Sequence, residues 1–160
     1  MSEPIRRIRT PMRLEYQIQA GADLTNFLQK LTEKRIVGRR SPTGKVYVPP
    51  RGSCPVTGLP MLEEVELSDV GTVTTFSIIH MEFEGQRLPP PYAVGTVLLD
   101  GADLPLFHII GGAVEDVRMG MRVRAVWVPD EELEPTLESI LYFESTGEPD
   151  APYESYKEHI

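Results

Sequence analysis

The residues best placed to do chemistry lie in two short turns, Ser41-Pro42-Thr43-Gly44 and Cys54-Pro55-Val56-Thr57-Gly58. They are joined by the proline-stiffened apolar run Val46-Tyr47-Val48-Pro49-Pro50-Arg51. Paired knuckles of this outline hold one tetrahedral zinc ion when each supplies Cys-x-x-Cys. Here Cys54 is the single cysteine of the chain, and serine and threonine hydroxyls do not replace thiolates as zinc ligands. The pattern keeps the outline of a metal module with Cys54 as a vestigial ligand, and bound zinc is not expected.

The other titratable candidates are His80, His108 and scattered carboxylates. None stands in a nucleophile elbow, a His-Glu-x-x-His site or a phosphate-cradling glycine loop. Both histidines end or interrupt apolar strands and read as hydrogen-bonded barrel residues rather than bases. Gly111-Gly112 lacks the strand-to-helix setting of a dinucleotide fingerprint and reads as a turn. No catalytic residue emerges, and the chain is not expected to be an enzyme.

With 160 residues, 41% of them hydrophobic, the chain has the size of one ordinary domain plus a small appendage. A single cysteine excludes an internal disulfide and makes a reducing cytoplasm the default compartment. Met1 to Pro11 lacks the apolar run of a signal peptide, and no stretch of about 18 apolar residues is present to span a membrane. Charge is divided unevenly. Residues 1–51 carry 11 Lys or Arg against 4 Asp or Glu, a net of +7, and residues 52–160 carry 5 against 20, a net of -15. A basic front can meet phosphates or an acidic partner, or simply face water, while an acidic body repels nucleic acid over most approaches.

The elements that must position these residues follow from periodicity. Met12, Leu14, Tyr16 and Ile18 alternate as in a short strand. Leu24, Phe27, Leu28 and Leu31 fall on one helical stripe, with Asp23 as a possible N-cap and Lys30, Lys34 and Arg35 near the C-terminal end. That stripe needs a surface to dock on, in this chain or in another. Strands are then expected at Met61–Ser68, continuing past a bulge or sharp bend at Gly71 into Thr72–Met81, and at Tyr92–Leu99, Leu104–Ile110, Met121–Val128 and Ser139–Glu144. One or two helical turns are expected within Gly112–Met119, stopped by Gly120. This order is that of a mainly β protein with a five-stranded, partly open OB-type barrel, although a different small barrel or a sandwich fragment would show the same periodicity. The expected division is residues 1–60 for the arm, helix and ribbon, 61–147 for the barrel, and 148–160 for a flexible tail.

Several blocks together resemble the acyl-CoA-associated zinc-ribbon/OB-fold family. They are Leu14-Glu15-Tyr16, Phe27-Leu28-Gln29-Lys30-Leu31, Gly38-Arg39-Arg40, Lys45 to Pro55, Gly71-Thr72-Val73, Pro90-Pro91-Tyr92, Leu98 to Asp103 and Met119 to Val123. The resemblance spans nearly the whole chain. It implies a helical and rubredoxin-like ribbon segment before the barrel. It also implies a role as accessory subunit of thiolase-like enzymes, including sterol-carrier-type thiolases acting as aldolases in steroid degradation, with a share in forming the partner's acyl-CoA channel. The chain departs from the family at the first turn, which is one residue short, and at Thr57, which stands where the last cysteine belongs. A structural zinc contributes on the order of 10 kcal/mol to its own ordering. Without it the ribbon must be held by packing of Tyr47, Val48, Pro49 and Pro50, or by a partner.

The CoA phosphates call for cations and its pantetheine arm for an apolar slot. The candidate contacts to CoA or to the partner are Arg39, Arg40, Tyr47, Pro50 and Arg51 at the ribbon, and Phe83, Pro91 and Tyr92 in the proline-rich connection. The alternatives are a stand-alone acyl-CoA-binding module and a nucleic-acid binder using Arg118, Arg122 and Arg124 with Phe76, Tyr92 and Trp127. The net charge of the barrel speaks against the second.

Overall fold

In a computed structural model, residues 14, 15, 17, 19–84, 86 and 88–160 are described. Of the alternating arm, Met12, Tyr16 and Ile18 lie outside them. Helix α1 (Gly21–Leu31) buries Phe27 and Leu31 completely, with Leu24 and Leu28 packed on the same core. Its stripe docks in cis, on the strand that follows. Asp23 is not the N-cap: that place falls to Ala20, which makes no side-chain bond, and Asp23 sits in the first turn. The C-terminal end closes through Lys34, whose φ of 56° lies in the left-handed region. Its N–H meets the Leu31 carbonyl and the Arg35 N–H meets that of Lys30, both at 3.0 Å, the pairing of a Schellman closure.

Strands β1 (Ile36–Arg40), β2 (Val46–Tyr47) and β3 (Glu64–Leu67) form an antiparallel sheet in the order β2-β1-β3. β3 arises from the segment expected to run straight into the barrel, yet it pairs with β1, from Ile36↔Leu67 to Arg39↔Glu64. The apolar alternation marks a strand but does not name its neighbour.

The barrel is built from β4 (Val70–Ile79), β5 (Tyr92–Leu99), β6 (Leu106–Ile110), β7 (Arg122–Trp127) and β8 (Ile140–Ser145). It closes in the order β4-β5-β6-β8-β7, with β7 returning to β4. All pairings are antiparallel except the short parallel contact Ile110↔Phe143 between β6 and β8. The five-stranded OB arrangement expected from the strand order is therefore present. The long first strand is irregular at Thr74, where the register shifts between Val73 and Thr75. Gly71 has a different task from the expected bulge or bend: a Cβ there would stand 2.5 Å from the Leu98 carbonyl oxygen on β5. Between β6 and β7, Val114–Asp116 make a single 3-10 turn, and Gly120 (φ 86°) ends the connection.

One apolar core runs through both parts. Val73, Val97, Leu99, Val123, Ile140 and Phe143 fill the barrel, continuous with Phe27, Leu31, Ile36, Val37, Val46 and Val48 in front. Residues 148–160, expected as a flexible end, instead fold back on the barrel. Tyr156 is buried, Arg118 holds Asp150 at 2.7 Å, and the Ala151 N–H meets the Gly120 carbonyl at 2.8 Å. The prolines and charges that gave the segment a tail-like composition are spacers between these anchors. Among the described residues no helix is long and apolar enough to cross a membrane.

Candidate functional site

The two turns singled out by sequence meet in space. In the first, the Ser41 N–H meets the Lys45 carbonyl at 2.7 Å and the buried Ser41 hydroxyl pairs with Thr43 Oγ1 at 2.7 Å. In the second, the Cys54 N–H reaches the Leu59 carbonyl and the Gly58 N–H reaches the Cys54 carbonyl, each at 2.8 Å. Cys54 is 1% exposed. Its thiol is held below its ordinary value, first by the Thr57 hydroxyl, against the opposing effect of burial. The Thr57 and Val56 N–H groups and the Thr43 hydroxyl add to the lowering. Thr43 comes from one turn and Thr57 from the other, so a thiol and three hydroxyls occupy the space that two Cys-x-x-Cys turns would surround. That donor set does not suit a structural zinc, whose ligands are thiolate, imidazole and carboxylate. Among the described residues no group of three or more His, Cys, Asp and Glu is placed to hold a metal.

The ribbon is anchored by its backbone. The Val46 N–H donates to Asp103 Oδ2 and the Asp103 N–H to the Val46 carbonyl, both at 2.8 Å. This ties β2 to the connection between β5 and β6. The block Leu98 to Asp103 thus has a physical reading that sequence alone did not supply. Asp100 binds Arg122 at 2.6 and 2.9 Å, Gly101 takes a left-handed φ of 89°, and Asp103 clasps the ribbon.

The candidate contact residues separate into two groups. Tyr47 and Pro50 are buried, and serve the core. Arg39 donates to Asp23 Oδ1 at 2.7 and 3.1 Å and to the Leu62 carbonyl at 2.8 Å, joining α1, β1 and the approach to β3. Arg40 bonds Glu63 at 2.6 Å and the Gly44 carbonyl at 3.1 Å. The Glu63 carboxyl is held below its usual value by its own backbone N–H and then by Arg40. Arg35 does the same to Glu66 and is itself raised by it. Of the three ribbon arginines, Arg51 alone is exposed without an ion pair among the described residues. Phe83, Pro91 and Tyr92 lie at the other end of β5. Phe83 is 59% exposed, Pro91 is exposed, and Tyr92 is half-buried at the start of the strand. The ribbon is tied to the connection after Leu99, whereas Tyr92 begins β5, whose seven residue steps at about 3.3 Å each span roughly 23 Å.

Near that second group the structure opens an apolar groove of about 420 Å³, which sequence reasoning missed. Leu88, Val94, Phe107, Ile109, Leu137 and Leu141 line it. Phe107 and Leu141 remain 63% and 47% exposed. The missed signal was the doublets Leu106-Phe107 and Ile140-Leu141, where an outward position expected to be polar is apolar. His108 behaves as expected of a barrel residue: its ring packs edge-on to Phe143 at 5.6 Å, and its Nε2 is 3.3 Å from the Leu137 carbonyl oxygen. His80 does not, since it falls one place beyond β4 and is exposed. A second cavity, about 640 Å³, lies between the barrel and residues 148–159. The guanidinium at its wall, Arg122, is engaged by Asp100 and raised by it.

Residues 64–128 match the family model of the ChsH2 C-terminal OB-fold domain. Over those residues the barrel is similar to that OB-fold domain. Two DUF35 domain-containing scaffold proteins are similar in sequence. That of Pyrococcus furiosus is 28% identical over 92 residues, covering 58% of this chain and 68% of that protein. That of Methanocaldococcus jannaschii is 33% identical over 85 residues, covering 52% and 60%. Among solved structures, the Ltp2-ChsH2(DUF35) aldolase matches with a TM-score of 0.60 at 23% identity, over 81% of this chain and 98% of that one. A DUF35-family protein of unknown function from Sulfolobus solfataricus matches with a TM-score of 0.56 at 20% identity, over 75% and 82%. At these identities the two structures show a shared fold.

Proposed function

We propose that this chain is a non-catalytic accessory subunit of a thiolase-like complex, one that stabilises the partner enzyme and helps it bind acyl-CoA. The observation that carries the reading is the match of residues 64–128 to the ChsH2 OB-fold domain. The scaffold names of the two relatives point the same way. The finer reading is a partner of the sterol-carrier-type thiolase or aldolase class, acting on acyl-CoA in lipid or steroid catabolism in the cytoplasm, with a ribbon that works without zinc. The polar groups described above support a non-catalytic role. Arg39, Arg40, Arg118 and Arg122 are each engaged by a carboxylate of the same chain, and the one cysteine is buried. The same pairing takes up two of the three arginines, Arg118 and Arg122, that a nucleic-acid-binding face would use, which speaks against that alternative.

The reading is tested by co-expressing the chain with a thiolase-like enzyme from the same genome, followed by size-exclusion chromatography and assays of thiolysis and retro-aldol cleavage. A stable hetero-oligomer whose activity exceeds that of the enzyme alone is expected. Turnover by the isolated chain, or separate elution of the two proteins, overturns it. The apolar groove also accommodates a second reading, a stand-alone acyl-CoA module. Calorimetry with acyl-CoA and no partner separates the two.

A further inference from the structure

We propose that residues 148–160 act as a latch that opens as a local unit, and that the ribbon senses its state through Asp103. The segment is seated by few groups. Within it only Tyr156 is buried. Arg118 holds Asp150 through two bonds of 2.7 Å, but both side chains are partly exposed and such a pair contributes little. A hollow of about 640 Å³ lies between the segment and the barrel. Little buried apolar area with a void beneath it places a segment at the low end of local stability. The seat is nonetheless specific. Gly120 takes a left-handed φ of 86°, and a Cβ on it would stand 3.0 Å from the Ala151 carbonyl oxygen and 3.3 Å from the Tyr156 hydroxyl. Barrel backbone and segment approach each other there as only a glycine permits.

His159 hooks the far end. Its Nδ1 lies 3.1 Å from the Asp103 carbonyl oxygen, which can only accept, so that nitrogen carries the hydrogen. The same aspartate holds the ribbon: its N–H donates to the Val46 carbonyl and its carboxylate accepts from the Val46 N–H, both at 2.8 Å. Asp103 is thus clamped from two sides, by the latch on its carbonyl and by the ribbon on its other two polar groups. Opening the latch removes one clamp and gives the β5–β6 connection more freedom, which loosens its grip on Val46. By linkage the effect is reciprocal, so whatever steadies the ribbon also steadies the latch.

The latch needs no partner enzyme, so its test runs on the isolated full chain and stands apart from the accessory-subunit reading. Native-state amide exchange is followed at Ala151, whose N–H meets the Gly120 carbonyl, at Val46 in the ribbon, and at Val97 inside the barrel. In Tyr156→Ala, Ala151 is expected to exchange at least about tenfold faster and Val46 about threefold faster or more, with Val97 within about twofold of wild type. In His159→Ala, which cuts the hook and spares the buried ring, Val46 is expected to exchange about threefold faster. Asp103→Ala supplies the reciprocal reading, with Ala151 about threefold faster. An unchanged Val46 in either latch variant, or an unchanged Ala151 in Asp103→Ala, overturns the coupling. An unchanged Ala151 in Tyr156→Ala, a Val97 rate rising in step with Val46, or a Tyr156→Ala chain that no longer folds by circular dichroism overturns the latch as a local unit.

Discussion

Val46 and Asp103 exchange two hydrogen bonds of 2.8 Å, one through a side-chain carboxylate and one through the backbone. Val46 is 3% exposed, so its N–H has no water to fall back on. The pair explains how a ribbon with one cysteine stays on the barrel: its edge strand is continued by a loop of the barrel itself.

Asp103→Ala is expected to cost about 1–2 kcal/mol, since it leaves a buried N–H without its charged acceptor. Asp103→Asn, which keeps an acceptor oxygen, should cost less. Urea unfolding measures the cost, and faster amide exchange at Val46 localises it. An alanine variant as stable as the wild type would remove the anchor.

Arg39 and Arg51 should separate stability from recognition. Arg39→Ala leaves Asp23 and the Leu62 carbonyl without their donor, and at this partly exposed position about 1 kcal/mol of destabilisation is expected. Arg51→Ala should leave the unfolding midpoint alone and weaken acyl-CoA or partner binding. Thermal melts beside titration calorimetry decide it, and the reverse pattern would reassign both residues.

The Cys54 thiol is held down chiefly by the Thr57 hydroxyl, so Thr57→Val should move its titration upward. A thiol whose folded value is depressed adds stability as pH rises through that value, and the gain is complete above the unfolded one. The variant should therefore lose stability on the alkaline side and keep it at neutral pH. Ultraviolet thiolate absorbance against pH reads the first effect and melts at two pH values read the second. Prolonged treatment with a chelator should change neither, and a chelator-dependent melt would mean that a metal does hold the knuckle.

Acid should loosen the front sheet. Glu66 is lowered chiefly by Arg35, Glu33 by Lys30 and then Arg35, and Glu63 by its own N–H and then Arg40. Carboxylates depressed in the folded state stabilise it above their unfolded value, about 4.3 for Glu. That contribution disappears as pH falls through the folded values. Each group is solvent-exposed and screened, so the loss is small and local. Amide exchange at Ile36–Arg40 should accelerate between neutral pH and pH about 3, after correction for intrinsic rates, ahead of the barrel strands. A uniform response across the chain would contradict this.

Much of the framework was legible before any coordinates. Tyr92–Leu99 appears with the bounds its alternation predicts, because inward and outward positions differ in polarity along its length. The stripe of α1 was equally clear. Partners were harder to read. Asp23 looked like a cap because its type suits one, but its acceptor atom faces an arginine 16 residues on. Arg39 and Arg40 looked available because Asp23 and Glu63 are remote in sequence. The tail looked mobile because Tyr156 is its one buried residue, and its other anchors, Asp150 to Arg118 and the Ala151 N–H to the Gly120 carbonyl, pair with residues remote in sequence. The groove escaped notice because outward apolar residues resemble inward ones when two stand in a row.

The connection between β5 and β6 answers to three places at once. Asp103 meets Val46 through both its backbone and its carboxylate, His159 Nδ1 lies 3.1 Å from its carbonyl oxygen, and Asp100 binds Arg122 on β7. A residue inserted between Leu99 and Leu106 would shift that register and release two distant segments together, whereas the described residues of 80–91 show no such clasp to the ribbon or to residues 148–160. Length variation among natural homologues should therefore gather in that stretch. The turn at Gly101 should keep a constant residue count through evolutionary drift, even where its side chains change.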